Sequence, residues 1–112
     1  MKNKEEIEIR QILLKMDITS NTLGYHYILE AIKILRKQGI HTNIITLYEI
    51  IEKRLHAKSS SAVEKAIRYS IETSWTKNTI LTKIYSKKPV VSAFLYDLVF
   101  NFDIFLKVAE EN

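Results

Sequence analysis

The 112-residue chain contains no cysteine, only two glycines and only one proline. Without cysteine there is no disulfide scaffold, no Cys-ligated zinc finger and no thiol nucleophile. So few Gly and Pro cannot supply the turns that an all-β chain needs every eight to twelve residues. No apolar run follows the charged start MKNKEEIEIRQ, so no secretory signal is visible. The most apolar stretch, 90–109, is long enough to span a bilayer. Asp97, Asn101, Asp103 and Lys107 interrupt it, and carboxylates are costly in lipid, so no membrane partner is expected. His26, His41 and His56 have no metal-protease spacing, and no Gly-rich phosphate loop exists. No paired His and Asp could activate the serines at 59–61. No enzymatic activity, metal, cofactor or small-molecule substrate is therefore expected, and the histidines read as surface or helix-end residues.

What the chain does have is 46% hydrophobic and 27% charged residues, the balance of a folded soluble domain. The reading is one all-α domain over 1–112, a five- to six-helix bundle held by its core and located in the cytoplasm. The formal net charge of +4 is unevenly spread. Residues 57–88 hold seven basic residues (Lys58, Lys65, Arg68, Lys77, Lys83, Lys87, Lys88) and two acidic ones, a net of +5. Residues 89–112 hold one basic and four acidic residues, a net of −3. A localised basic patch is the footprint of a polyanion partner.

Helical periodicity organises the rest. Residues 5–16 place Ile7, Ile9, Leu13 and Leu14 among charges and predict a first helix. Ser20, Asn21 and Thr22 are candidate caps for a second, which carries Ile28, Ala31, Ile32 and Leu35 on one stripe and stops at Gly39. Thr42 or Asn43 can cap a third, to about Leu55. Ser59, Ser60 and Ser61 can each cap a fourth, over about 60–75, and Ser61 with Glu64 has capping-box spacing. The inner arc of that helix is Val63, Ala66, Ile67, Ser70, Ile71 and Ser74, small enough to let it lie close to a neighbour. Its outer arc is Ser61, Lys65, Arg68 and Glu72, with Glu64 and Tyr69 at the flanks. Pro89 suits the first turn of a single last helix. Tyr25, Tyr27 and Tyr48 read as packing residues with wet hydroxyls rather than a platform for bases.

Two helices joined by the short polar joint 56–60 suggest a helix-turn-helix, whose second helix enters the major groove of DNA. Lys65 can donate to guanine, Glu64 can accept from a cytosine amino group, and serine hydroxyls can do either. Lys58 and the amides near Ser59, Ser60 and Ser61 suit phosphate, because a helix N-terminus binds anions. Arg68, Lys77, Lys87 and Lys88 extend the basic surface.

The pieces GYHYILEAI (24–32), LYEIIEKRL (47–55), SAVEKAIRYSIETSW (61–75) and Lys88-Pro89 before a helix containing AFL occur in this order. Together, over roughly residues 9–106, they resemble the C-terminal effector domain of the stage-zero sporulation regulator A family. The densest match is Val63-Glu64-x-Ala66-Ile67-Arg68-x-x-Ile71-Glu72-x-x-Trp75. The resemblance implies an all-helical bundle of about six helices that binds double-stranded DNA in tandem copies. In the full-length family protein, phosphorylation of an N-terminal receiver domain controls it. It also implies that 43–55 and 60–75 form the helix-turn-helix, that Glu64 and Lys65 face bases, and that Arg68 lies near the DNA backbone.

The chain departs from the family pattern in several places. Lys65 and Ala62 stand where the family has Arg. The turn 56–60 is one residue longer, and the segment between Trp75 and Lys88 is shorter, so the family's fifth helix should shrink or vanish. Residues 1–8 form no receiver domain, so direct control by aspartyl phosphorylation is not expected of this chain. Two readings follow: a sporulation-related, sequence-specific transcription regulator, or a non-enzymatic interaction module of the same fold that dimerises or binds a full-length regulator. The last helix bears on the second. Val91, Leu95, Leu98, Phe102, Phe105 and Leu106 fill one apolar stripe, leaving Phe94, Phe100, Ile104 and Val108 on other sides. That surplus predicts a homodimer interface, unless helix 5–16 covers the extra side within one chain.

Overall fold

The computed structural model describes residues 3–39 and 42–112. Among these the chain forms seven helices and no strand. They are α1 (Asn3–Lys15), α2 (Leu23–Gln38), α3 (Ile44–Leu55), α4 (Ser60–Thr76), α5 (Leu81–Ile84), α6 (Val91–Phe100) and α7 (Phe102–Glu111). His41 lies outside the described residues. Among the described residues no helix is long and apolar enough to cross a membrane.

The helix ends follow local chemistry. Thr22 caps α2 by accepting from the Tyr25 amide, and Gly39 closes it at φ 84°, a backbone that favours glycine. Asn43 caps α3, its side chain accepting from the Ile45 and Thr46 amides. α1 ends when Asp17 turns left-handed (φ 58°) and Ile18 N–H returns to the Leu13 carbonyl.

α2 is the hub. It packs most extensively on α4 and also meets α3 and α6. The crossing with α4 is close because Gly24 faces Ala66 and Ser70. A Cβ on Gly24 would stand 1.9 Å from Ser70 Oγ and 2.7 Å from the Ala66 carbonyl oxygen. The core runs through Ile28, Ile32 and Leu35 of α2, Leu47 and Ile51 of α3, and Val63, Ile67 and Ile71 of α4. Tyr25 and Tyr27 are buried and Tyr48 is half-buried, so all three pack as expected. The Arg10 guanidinium donates to the Tyr25 hydroxyl.

The segment before Lys88 keeps a single helical turn, α5, as its shortness implied. Two features differ from the sequence reading. Pro89 is not in the first turn of the last helix; Val90 is its extended N-cap, and α6 begins at Val91. The last helix is two helices divided at Asn101 (φ −118°, ψ 33°), which raises the helix number to seven. On a straight helix, side chains eleven residues apart would be separated by about 16 Å along the axis. Here the rings of Phe94 and Phe105 meet edge to face at 6.3 Å. The bend lets both rings enter the core and brings α7 against α1 and α5. Phe94 is therefore a core residue, not part of an outer face, and Val108 is half-buried. Only Phe100 and Ile104 of the surplus set stay exposed, and α1 takes up the extra side within the chain.

Candidate nucleic-acid interface

The α3–α4 pair is built around Glu52. Its backbone carbonyl accepts from the His56 and Ala57 amides, closing α3 with His56 left-handed at φ 55°. Its carboxylate accepts from Ser60 Oγ at 2.8 Å and so ties α3 to the first residue of α4. Four residues, His56 to Ser59, make the connection, and the half-buried Ala57 packs against the core.

Of the three serines, Ser59 is the cap. Its backbone is extended and its Oγ accepts from the Ala62 amide at 3.0 Å. Ser60 points to Glu52 and Ser61 faces solvent. The capping box between Ser61 and Glu64 does not form, because Ser61 lies inside the helix, one position past its start. Glu64 instead pairs with Arg68 at 3.7 Å. The amides of Ser60 and Ser61, in the first turn, have no intrahelical acceptor.

From that turn onward, Ser61, Lys65, Arg68 and Glu72 run along the exposed side of α4, while Val63, Ile67, Ser70, Ile71 and Ser74 are buried. Among the described residues, Lys58 and Lys65 have no ion-pair partner. Glu64 is held on one flank, where it approaches Tyr48. Burial above all, then the Glu64 carboxylate and the nearby Tyr96, push the Tyr48 phenol up to about 12. Tyr96 in turn donates to the Thr42 carbonyl at 2.6 Å.

The loop between α5 and α6 lies beside this surface. Tyr85 anchors its start, donating to Asp97 Oδ2 at 2.6 Å, and burial with that bond drives its phenol well above the ordinary range. Lys88 Nζ lies 3.5 Å from Glu72 Oε2 and lines a groove with Glu64, Arg68 and Pro89. Lys87 is exposed next to it. The structure thus gathers Lys58, Ser59, Ser60, Ser61, Glu64, Lys65, Arg68, Lys87 and Lys88 along one helix and its flanks. It does not gather Lys77, which ends α4 about 18 Å from Lys65 along the axis and pairs with Asp17 at 2.7 Å. One contributor escapes the sequence reading: Glu52 has no periodic signal linking it to Ser60. Tyr69, read there as a flank residue, is 69% exposed four residues beyond Lys65.

Among the described residues, no group of three or more His, Asp or Glu could hold an ion. A basic, polar helix face on a small helical domain is instead the geometry of a nucleic-acid contact. The family model described as sporulation initiation factor Spo0A C terminal matches residues 9–95. The chain belongs to that family. The Spo0A C-terminal family is a DNA-binding effector domain of a sporulation response regulator, not an enzyme family. No solved structure gives a match.

Proposed function

We propose that this Spo0A C-terminal family domain is a sequence-specific transcription regulator acting on DNA in the cytoplasm, with α3 and α4 as its helix-turn-helix. The N-terminal half of α4 enters the major groove. Lys65 and Glu64 meet base edges, Lys65 donating to guanine N7 and O6 and Glu64 accepting from a cytosine amino group. Lys58, Arg68, Lys87 and Lys88 and the amides of Ser60 and Ser61 hold phosphate. Lys77 serves the tie to Asp17 instead. Ala62 offers only a methyl group where the family has Arg, so any contact that Arg makes with the family's box is lost here.

The observation that carries this reading is the cationic, solvent-facing side of α4 beginning at an anion-ready first turn. The test is titration of a duplex carrying the family's box against a scrambled duplex, at two salt concentrations. Affinity should favour the box and fall steeply with salt, as counterions are released from neutralised phosphates. A salt-insensitive affinity, or no binding at micromolar protein, would overturn it. Ala62 and the exposed Phe100 favour the rival reading, an interaction module of the same fold. That module would leave both duplexes unbound. On DNA the chain works as paired copies, either a homodimer or a tandem array.

A further inference from the structure

We infer that the groove between α1 and α7 is the surface through which two copies of this chain pair, each placing Leu14 in the other's groove about a two-fold axis. The inference rests on the homodimer named above, since a two-fold surface cannot join a head-to-tail array, and it names the surface that forms it. α1 turns Ile9, Ile12, Leu13 and Met16 into the core. Its opposite side, where an isolated domain would be polar, carries Ile7 and Leu14, two helical turns apart and 56% and 66% exposed. The bend at Asn101 lays α7 alongside. Between the helices runs a groove of about 450 Å³ lined by Gln11, Leu14, Lys15, Leu106, Ala109 and Glu110.

Its chemistry selects a second copy. A two-fold interface must be self-complementary, because one patch meets itself. This patch has an apolar centre in Leu14, Leu106 and Ala109, a cation on α1 and an anion on α7. Among the described residues, neither Lys15 nor Glu110 has an ion-pair partner. Across a dyad through the groove, Lys15 of each copy meets Glu110 of the other. α1 and α7 pack on each other, whereas α3 and α4 pack on one another and on α2. A partner seated here leaves Ser61, Lys65 and Arg68 open to DNA.

Sedimentation of the whole chain across roughly 1–100 μM, a range that brackets micromolar dissociation constants, should show its mass rising from one chain to two. Leu14→Glu should stay monomeric throughout with unchanged helicity and melting temperature, because Leu14 faces outward. Lys15→Glu sets like charges together and should weaken pairing about tenfold or more. Lys15→Glu with Glu110→Lys should restore it. A monomer throughout, a dimer that survives Leu14→Glu, or a charge swap that restores nothing overturns the inference. Binding of Leu14→Glu to a duplex with a single site separates the two readings. Wild-type affinity there leaves the DNA assignment intact whatever becomes of the dimer. Loss of DNA binding by a protein that still dimerises counts against the DNA assignment alone.

Discussion

α4 holds 7 apolar residues in 17 and the segment 91–111 holds 14 in 21, and one is a single unbroken helix while the other bends in the middle. The difference lies in where the apolar residues sit around the wheel. In α4 most of them occupy one narrow arc, so a single helix covers that arc, leaves Tyr69 outside and keeps a polar face. In 91–111 they spread over several sides, and no straight helix on one neighbour could cover them. The bend at Asn101 divides the burial: α6 serves α2 and α4, and α7 serves α1 and α5. The proposed DNA face is thus the polar remainder of a helix packed efficiently. The α1–α7 groove is the apolar remainder of one that had to fold back.

The largest way to break this contrast is Phe94→Ala. Phe94 is fully buried and its ring meets Phe105 across the bend. Its truncation should cost about 3–5 kcal/mol, the usual range for a buried aromatic. Urea unfolding measures it, and a loss below about 1 kcal/mol would mean that the two rings do not hold α7 in place.

Next comes the seat of α4. Gly24→Ala would normally favour a helix interior by about 1 kcal/mol. Here the new methyl meets the Ala66 carbonyl, a backbone atom that cannot rotate away. The net effect should be destabilisation by about 1–3 kcal/mol, the cost of overpacking. Pushing α4 outward should also weaken DNA binding. Ser70→Ala would remove the hydroxyl but not the carbonyl, so it should rescue only part of the loss. Full rescue would show that the backbone approach is not what requires glycine here.

On the polar remainder of α4, two substitutions separate reading from holding. Lys65→Ala should cost about 1–3 kcal/mol on the preferred duplex and flatten the preference over a scrambled one. Arg68→Ala should weaken all sequences alike and lower the salt slope by about one unit. Because Glu64 partners Arg68, its loss also frees that carboxylate, but an exposed pair at 3.7 Å is worth well under about 1 kcal/mol. Unchanged discrimination after Lys65→Ala would remove base reading from that residue.

Most of the helix framework and of the proposed DNA face was legible because it depends on local rules. The caps at Thr22, Asn43 and Ser59, the stop at Gly39 and the two arcs of α4 are set by residues within a turn or two of one another. What was hidden depends on distant partners. Three adjacent serines are equivalent as caps until Glu52 claims Ser60. Lys77 belongs to the basic segment by sequence, but Asp17 holds it at the far end of α4. The break at Asn101 has neither proline nor glycine to announce it, and its cause is the burial of Phe94 and Phe105 on a shared core. The need for glycine at position 24 is set by Ala66 and Ser70, more than forty residues away.

The smallest expected effect is also the sharpest test of where the apolar remainder acts. Phe100 and Phe94 are both surplus aromatics on the wheel of the last helix, but the bend buries one and leaves the other 49% exposed, stacked on Tyr96 at 6.3 Å. Phe100 does not line the α1–α7 groove. Phe100→Glu should therefore change stability by no more than about 0.5 kcal/mol, as surface substitutions do, and leave pairing of the free protein intact. Leu14→Glu, at a more exposed position, should likewise spare the fold but remove the dimer. Sedimentation of the two variants side by side decides between them. If Phe100→Glu dissociates the pair and Leu14→Glu does not, the association face lies on the outer side of α6, near Tyr96 and the start of α3, and the groove beside α1 is only a surface.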